Sequence, residues 1–272
     1  MTLDFTLEKY TELCNAIQRN YSTCTFYDFL INFKKINEDI NCLENISYYT
    51  VHRKIDARIC IIRHDVDRKI KNSLIMAEIE HDLGIRSSYY FRHPYTFKPD
   101  IISKIHELGH EVGYHYETLS KARGEPKVAI KLFEEELNEF KKIHEIKTIC
   151  MHGKPLSGYD NRELWKYYDF HDYGIEGEAY LSIDEQKIQY FTDTGRNWSN
   201  KNSLRDFMSV PQTYSVETTD DLINLIKSAE ESYLYLNIHP ERWTKNYFNW
   251  ISSYLQDNLI NAGKTIIAAI QQ

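Results

Sequence analysis

The chain has 272 residues, with 33 Lys and Arg against 40 Asp and Glu, a formal net charge of −7. That balance excludes a basic nucleic-acid-binding protein, and 42% hydrophobic against 27% charged residues excludes a disordered chain. A chain of this length buries a sizeable core as one large domain or two small ones. No stretch approaches the roughly 18 uninterrupted apolar residues of a membrane span, and no basic segment leading into an apolar one opens the chain, so the sequence reads as cytoplasmic. The five cysteines, Cys14, Cys24, Cys42, Cys60 and Cys150, are scattered and form no C-x-x-C pair, which points away from a disulfide framework or a thiolate zinc site. Twenty-one Tyr and four Trp suit a sugar cleft, although most such rings belong to core or rim.

Residues 1–56 read as a helical extension. Tyr10, Cys14 and Ile17 recur at helical spacing, and Thr25 is placed to cap a second helix with Phe26, Phe29, Leu30 and Phe33 on one stripe. Over 57–272 apolar runs alternate with amphipathic helices, the pattern of βα units in one domain. The β-branched run from Ile59 to Ile62 predicts a buried strand, followed by a helix with Ile75, Met76, Ile79 and Leu83 that stops at Gly84. A strand from Ser87 to Phe91 leads to a helix carrying Ile101, Ile102, Ile105 and Leu108, closed by Gly109. Next come a strand from Glu111 to His115 and a helix with Ala129, Phe133, Leu137 and Phe140. Further strands are expected from Thr148 to Met151, around Ile175, from Tyr233 to Ile238 and from Thr265 to Ala269, with a helix from about Trp243 to Leu259 between the last two. Such a series predicts an α/β fold, either a (β/α) barrel or a doubly wound sheet.

Nearly every expected strand ends in ionisable residues. Arg63, His64, Asp65 and Asp67 follow the first, Arg92 and His93 the second, His115 and Glu117 the third. His152 follows the fourth, Glu176 and Glu178 lie near the fifth, and His239 follows a later one. In parallel α/β folds these strand ends share one face, so histidines and carboxylates gathered there suggest a metal site. Asp65 and Asp67 are two apart and point the same way if the backbone stays extended. Two facing carboxylates repel unless one takes a proton or a cation lies between them, and a divalent metal removes that conflict.

At these residues the sequence resembles a known family. IIRHDVD (61–67), GHEVGYH (109–115) and LNIHP (236–240) are similar, in that order, to motifs of the polysaccharide deacetylases, the NodB-homology or carbohydrate esterase family 4 enzymes. RHDVDR, SSYYFRHPY, GHEVGYHYETLS, MHGKPLSGYDNRELW, GEAYLSID, TDTGRNW and NIHPERW together resemble a subgroup associated with bacterial surface-polysaccharide gene clusters. The resemblance covers about 60–250 and implies a distorted (β/α)7 barrel carrying the N-terminal helical extension. It also implies a metal-dependent hydrolase, most often with Zn2+, that removes an N-acyl group from an amino sugar, free or carrier-linked.

By resemblance, Asp65 matches the catalytic base, Asp67 a metal-binding aspartate, His115 the first metal histidine and His239 the general acid. Two positions depart from the family pattern. Leu119 stands where the second metal histidine is expected, and Cys150-Met151-His152-Gly153 replaces an Arg-x-Pro segment that orients the base. Either the third ligand is His152 or Glu117, strand-end placement favouring the first and two-residue parity the second, or the metal site is incomplete.

Amide hydrolysis suits this set, since Zn2+ with three protein ligands brings water's pKa to about 7 and acid–base groups handle the remaining protons. Arg92, Arg196, Trp198 and Glu178 are read as substrate-binding. Arg196 would hold a sugar hydroxyl or phosphate and Trp198 would stack on a ring, with an Asp193–Arg196 turn pair the even alternative. His110 reads as a hydrogen-bonded barrel residue. Two other functions fit the same motifs: deformylation or another amide hydrolysis, and sugar binding without catalysis.

Overall fold

The computed structural model describes residues 3–32, 58–153, 157–184, 188–199, 214–246, 248 and 250–255. The expected strand from Thr265 to Ala269 and the distal part of the helix before it lie outside them, as does Phe33.

Among the described residues eight parallel strands build the fold: β1 (Ser22–Cys24), β2 (Ile59–Val66), β3 (Ser88–Phe91), β4 (Glu111–Tyr116), β5 (Thr148–Met151), β6 (Gly177–Glu178), β7 (Gln189–Thr192) and β8 (Tyr233–Ile238). Seven of them run in the order β6-β5-β4-β3-β2-β8-β7, each hydrogen-bonded to its neighbours in parallel. β1 pairs with residues 59–61 of β2, while β3 takes the same strand from Arg63 onward. The N-terminal segment therefore does more than pack as helices, because it completes the edge of β2 that β3 is too short to reach.

The two ends of this order meet through side chains. The Tyr180 ring, just after β6, lies 6.4 Å from the Tyr190 ring on β7, and the Tyr235 hydroxyl on β8 donates to the Ala179 carbonyl at 3.2 Å. The sheet thus curls into a distorted (β/α)7 barrel, with helices Ile70–Asp82, Pro99–Glu107 and Pro126–Lys141 covering its outside. Helix Leu7–Asn20 packs beside helix Thr219–Ser228, where Lys9 reaches Asp220 at 2.8 Å.

Strand parity separates two environments. Cys60, Ile62, Leu234, Leu236 and Ile238 face the helices and belong to one apolar cluster with Tyr10, Leu13, Met76 and Trp243. The alternate residues face the axis and are largely polar: Arg63, Asp65, Tyr90, His115, Thr148, Cys150, Tyr235 and Asn237. The helical segment from Phe26 packs across the lower end, where the Phe26 ring stacks on Tyr235 at 5.9 Å and its amide donates to Ser88 Oγ at 2.8 Å.

Gly113 makes the interior possible. A β-carbon there would stand 2.5 Å from the Tyr90 ring and 2.8 Å from the Thr148 carbonyl. Gly113→Ala is therefore expected to destabilise the fold by about 1–3 kcal/mol through overpacking, read as a lowered midpoint in urea unfolding.

Candidate metal centre and acid–base pair

The C-terminal ends of β2, β4, β5 and β8 bring the sequence-predicted groups to one mouth. β2 and β8 align Ile62 with Leu236 and His64 with Ile238, so the next position sets Asp65 beside His239. β4 and β5 align His115 with Cys150, and His152 follows at the next strand end.

Oδ1 of Asp67 lies 3.3 Å from Nε2 of His115 and 3.4 Å from Nε2 of His152, without a well-formed hydrogen bond to either. Both imidazoles are oriented from behind. His115 Nδ1 is 3.0 Å from the Cys150 carbonyl, an acceptor only, so Nδ1 carries the proton and Nε2 is the free lone pair. His152 Nδ1 faces Glu117 Oε2 at 3.2 Å, and Glu117 Oε1 accepts from Arg92 Nη2 at 2.8 Å. Glu117 thus faces the rear of His152, and both its carboxylate oxygens are engaged there.

The charges agree with that geometry. Burial raises the Asp67 carboxyl, yet His152 and His115 hold it well below the usual range. Burial likewise opposes a charge on His152, but Asp67 and Glu117 push its pKa up to about 9. Asp67 Oδ1 faces both imidazole nitrogens, and Asp67, His115 and His152 are the residues that would hold a divalent cation. Asp67 keeps 18% of its side chain exposed, so the position is reachable from the mouth.

A second donor set, Asp65, His115 and Cys150, has ligand atoms within 4.8 Å of one another. It is the poorer one. Burial pushes the Cys150 thiol well up, so it stays protonated and donates toward Asp65 Oδ1 at 3.5 Å. Asp65 is also committed to Arg63, with Nε at 3.1 Å from Oδ1 and Nη2 at 3.2 Å from Oδ2. Burial raises the Asp65 carboxyl, but Arg63 and the imidazoles of His115 and His239 outweigh it, so it remains ionised.

His239 is held by Asp193, a residue that sequence reasoning placed only in a turn. Asp193 Oδ1 accepts from His239 Nδ1 and from Arg242 Nη1, each at 2.7 Å. Asp193 Oδ2 accepts from the His239 amide at 3.0 Å and Trp243 Nε1 at 2.9 Å. Burial and Arg242 oppose protonation of His239, yet the Asp193 carboxylate raises its pKa above the ordinary imidazole value. The proton on Nδ1 leaves Nε2 as the nitrogen able to exchange a proton.

The remaining expected substrate residues fall elsewhere. Trp198 is fully buried between Phe5 and Trp243 and donates to Thr219 Oγ1 at 3.0 Å, so its faces are closed to a sugar. Glu178 is fully buried and accepts from the amides of Met151, Tyr180 and Leu181, which fixes the turn after β6 instead of lining a cleft. Arg196 donates to the Arg242 carbonyl at 2.9 Å and lies over the Phe5 and Trp250 rings. Arg92 is at the mouth, but its guanidinium serves Glu117 and lies over the Tyr95 ring at 4.6 Å. His110 is a hydrogen-bonded barrel residue, 2.9 Å from Ser87 Oγ and 3.0 Å from the Ala77 carbonyl. A cavity of about 480 Å³ lined by Tyr27, Arg86, His106 and Glu111 opens at the opposite end of the barrel.

No family model matches the chain, and no curated protein matches it. Among solved structures it is similar to a wild-type CE4 family pseudoenzyme from Bacillus anthracis, at 13% identity, 71% coverage of each chain and a TM-score of 0.37. It is similar also to a mutant of that pseudoenzyme, at 13% identity, 70% coverage of each chain and a TM-score of 0.36. Neither likeness bears on whether this chain turns over a substrate.

Asp193 supplies a pH test. The Arg242 charge, with the charge and hydrogen bonds of His239, brings its pKa down to about 2 against burial, below its ordinary 3.8. A depressed carboxyl adds stability that is complete above pH ~4 and is lost as pH falls through the folded value. That difference corresponds to about 2 kcal/mol. Asp193→Asn is expected to lower stability near neutral pH and to flatten the loss between pH 5 and 3, measured by urea unfolding at stepped pH.

Proposed function

We propose that the protein is a metal-dependent N-deacylase acting on an acylated amino sugar, free or carrier-linked, in the cytoplasmic assembly of a surface polysaccharide. The observation that carries this reading is the pairing of an ionised Asp65 with an Asp193-held His239, beside the donor set Asp67, His115 and His152. A divalent cation held there, Zn2+ being the best match to two imidazoles and a carboxylate, supplies Lewis acidity toward water and an amide carbonyl.

The chain's own groups then divide the proton work. Asp65, kept ionised by Arg63, accepts a proton from the attacking water. His239, charged more readily because of Asp193, donates a proton from Nε2 to the departing amine as the C–N bond breaks. Without that donation the amine is a poor leaving group. Glu117 and Arg92 hold His152 with Nε2 toward Asp67, the arrangement that fixes a ligand's tautomer. The same chemistry serves a deformylase, and the acid released distinguishes the two.

The test uses purified protein supplied with Zn2+. His115→Ala and His152→Ala are expected to lose stoichiometric metal, and Glu117→Gln to weaken it about 10- to 100-fold. Asp65→Asn and His239→Ala should keep their metal while losing about 10²–10⁴-fold in acetate or formate release. Binding of acetylated amino sugar without release of either acid, under any divalent metal, would establish a sugar-binding protein instead.

A further inference from the structure

Asn237 is fully buried on β8, and neither its Nδ2 nor its Oδ1 has a hydrogen-bond partner. Buried amides are almost always satisfied, so such a group in a protein interior calls for a ligand or water. Its place is set by register: it aligns with Arg63 on β2 and Thr192 on β7, two residues before His239 and on the same face. Asn237 therefore faces the axis one layer below the Asp65–His239 pair.

The other polar groups of this layer are engaged. Arg63 is bound to Asp65, Tyr180, Tyr190 and Tyr235, Cys150 to Asp65, and Thr192 Oγ1 to Thr194 at 3.1 Å. Below it, two positions back along β7 and β8, the barrel is filled by the buried rings of Tyr190 and Tyr235. A sugar does not fit in that direction. If an amide is cleaved between Asp65 and His239, the acyl side faces the floor and the sugar faces the mouth.

Resting on the deacylase reading, we infer that Asn237 selects the acyl group, and that the group selected carries a hydroxyl next to its carbonyl, as in an N-glycolyl amino sugar. A hydroxyl both donates and accepts, which matches the unpartnered Oδ1 and Nδ2 of one carboxamide. The methyl of an acetyl group would leave both atoms without a partner and expel any water that served them. Sites built to hydrogen-bond a substrate hydroxyl reject analogues lacking it far more strongly than apolar pockets reject a missing methylene.

The experiment compares N-glycolylglucosamine with N-acetylglucosamine on the Zn2+-loaded protein, by acid release and by calorimetric binding. Wild type is expected to favour the glycolyl sugar by about tenfold or more in either readout. Asn237→Leu, close to it in size, is expected to abolish or reverse that ratio, and a ratio is insensitive to the fraction of protein folded. Equal or better handling of the acetyl sugar by wild type overturns the inference, as does an unchanged ratio in Asn237→Leu or binding of neither sugar. Preferential binding of the glycolyl sugar with no acid released leaves Asn237 as the selecting residue and defeats the hydrolase reading alone.

Discussion

A guanidinium on the axis of a barrel has no water to solvate it, and Arg63 is fully buried there. A buried charge of this kind persists only when paired and hydrogen-bonded. Arg63 meets both conditions: Asp65 takes its charge, the hydroxyls of Tyr180, Tyr190 and Tyr235 accept from it, and the Tyr180 ring lies 4.3 Å from its central carbon. The same contacts join the two ends of the curled sheet. Closure of the barrel and ionisation of Asp65 therefore depend on one side chain, and removing it would leave a buried carboxylate without its counter-charge.

Two carboxylates two residues apart at the C-terminal end of β2 receive opposite treatment. Asp65 is held by a permanent cation and stays a proton acceptor. Asp67 faces two imidazoles whose outer nitrogens are already bound, so their inner lone pairs converge on it and a cation or a proton must lie between them. Strand parity brings Asp65 and Asp67 to one side, and the groups arriving from β4, β5 and β8 make them different. Lone-pair convergence at one carboxylate and a fixed cation at the other are what separate the proposed metal position from the proposed acid–base pair.

The framework was legible in the sequence wherever burial was continuous. Ile59 to Ile62 and Thr148 to Met151 are unbroken apolar or β-branched runs, Tyr233 to Ile238 is one interrupted only by Asn237, and each lies in a strand. Gly84 and Gly109 end their helices in the left-handed region, as their positions suggested. β1 and β7 were not legible, because three or four residues carry no period of their own and gain strand character only from β2 and β8. With β7 unseen, Asp193 looked like a turn residue. Placed at a strand end like the others, it would have stood as the natural partner of His239. Arg63 was readable by the parity argument already applied to Asp65 and Asp67, carried back two residues. Trp198 and Glu178 misled because residue type suggests a role while burial decides it.

The outward face of β2 explains why a strand bearing this much charge holds its place. His64, between Arg63 and Asp65 in sequence, points away from the axis and meets Glu80 at 2.7 Å. Glu80 also accepts from Ser87 at 2.6 Å, Tyr89 at 2.7 Å and Tyr10 from the N-terminal helix. Burial opposes ionisation of Glu80, but His64, His110 and Ser87 bring its pKa down to about 2, so its carboxylate is ionised at neutral pH. Tyr89 stacks on His64 with ring centres 4.1 Å apart. The N-terminal segment thus pairs with the start of β2 through β1 and fastens the back of its far end through Tyr10. A backbone anchored on both sides keeps Asp65 and Asp67 in register with His239 and His115, and side chains on four separate strands meet at one mouth.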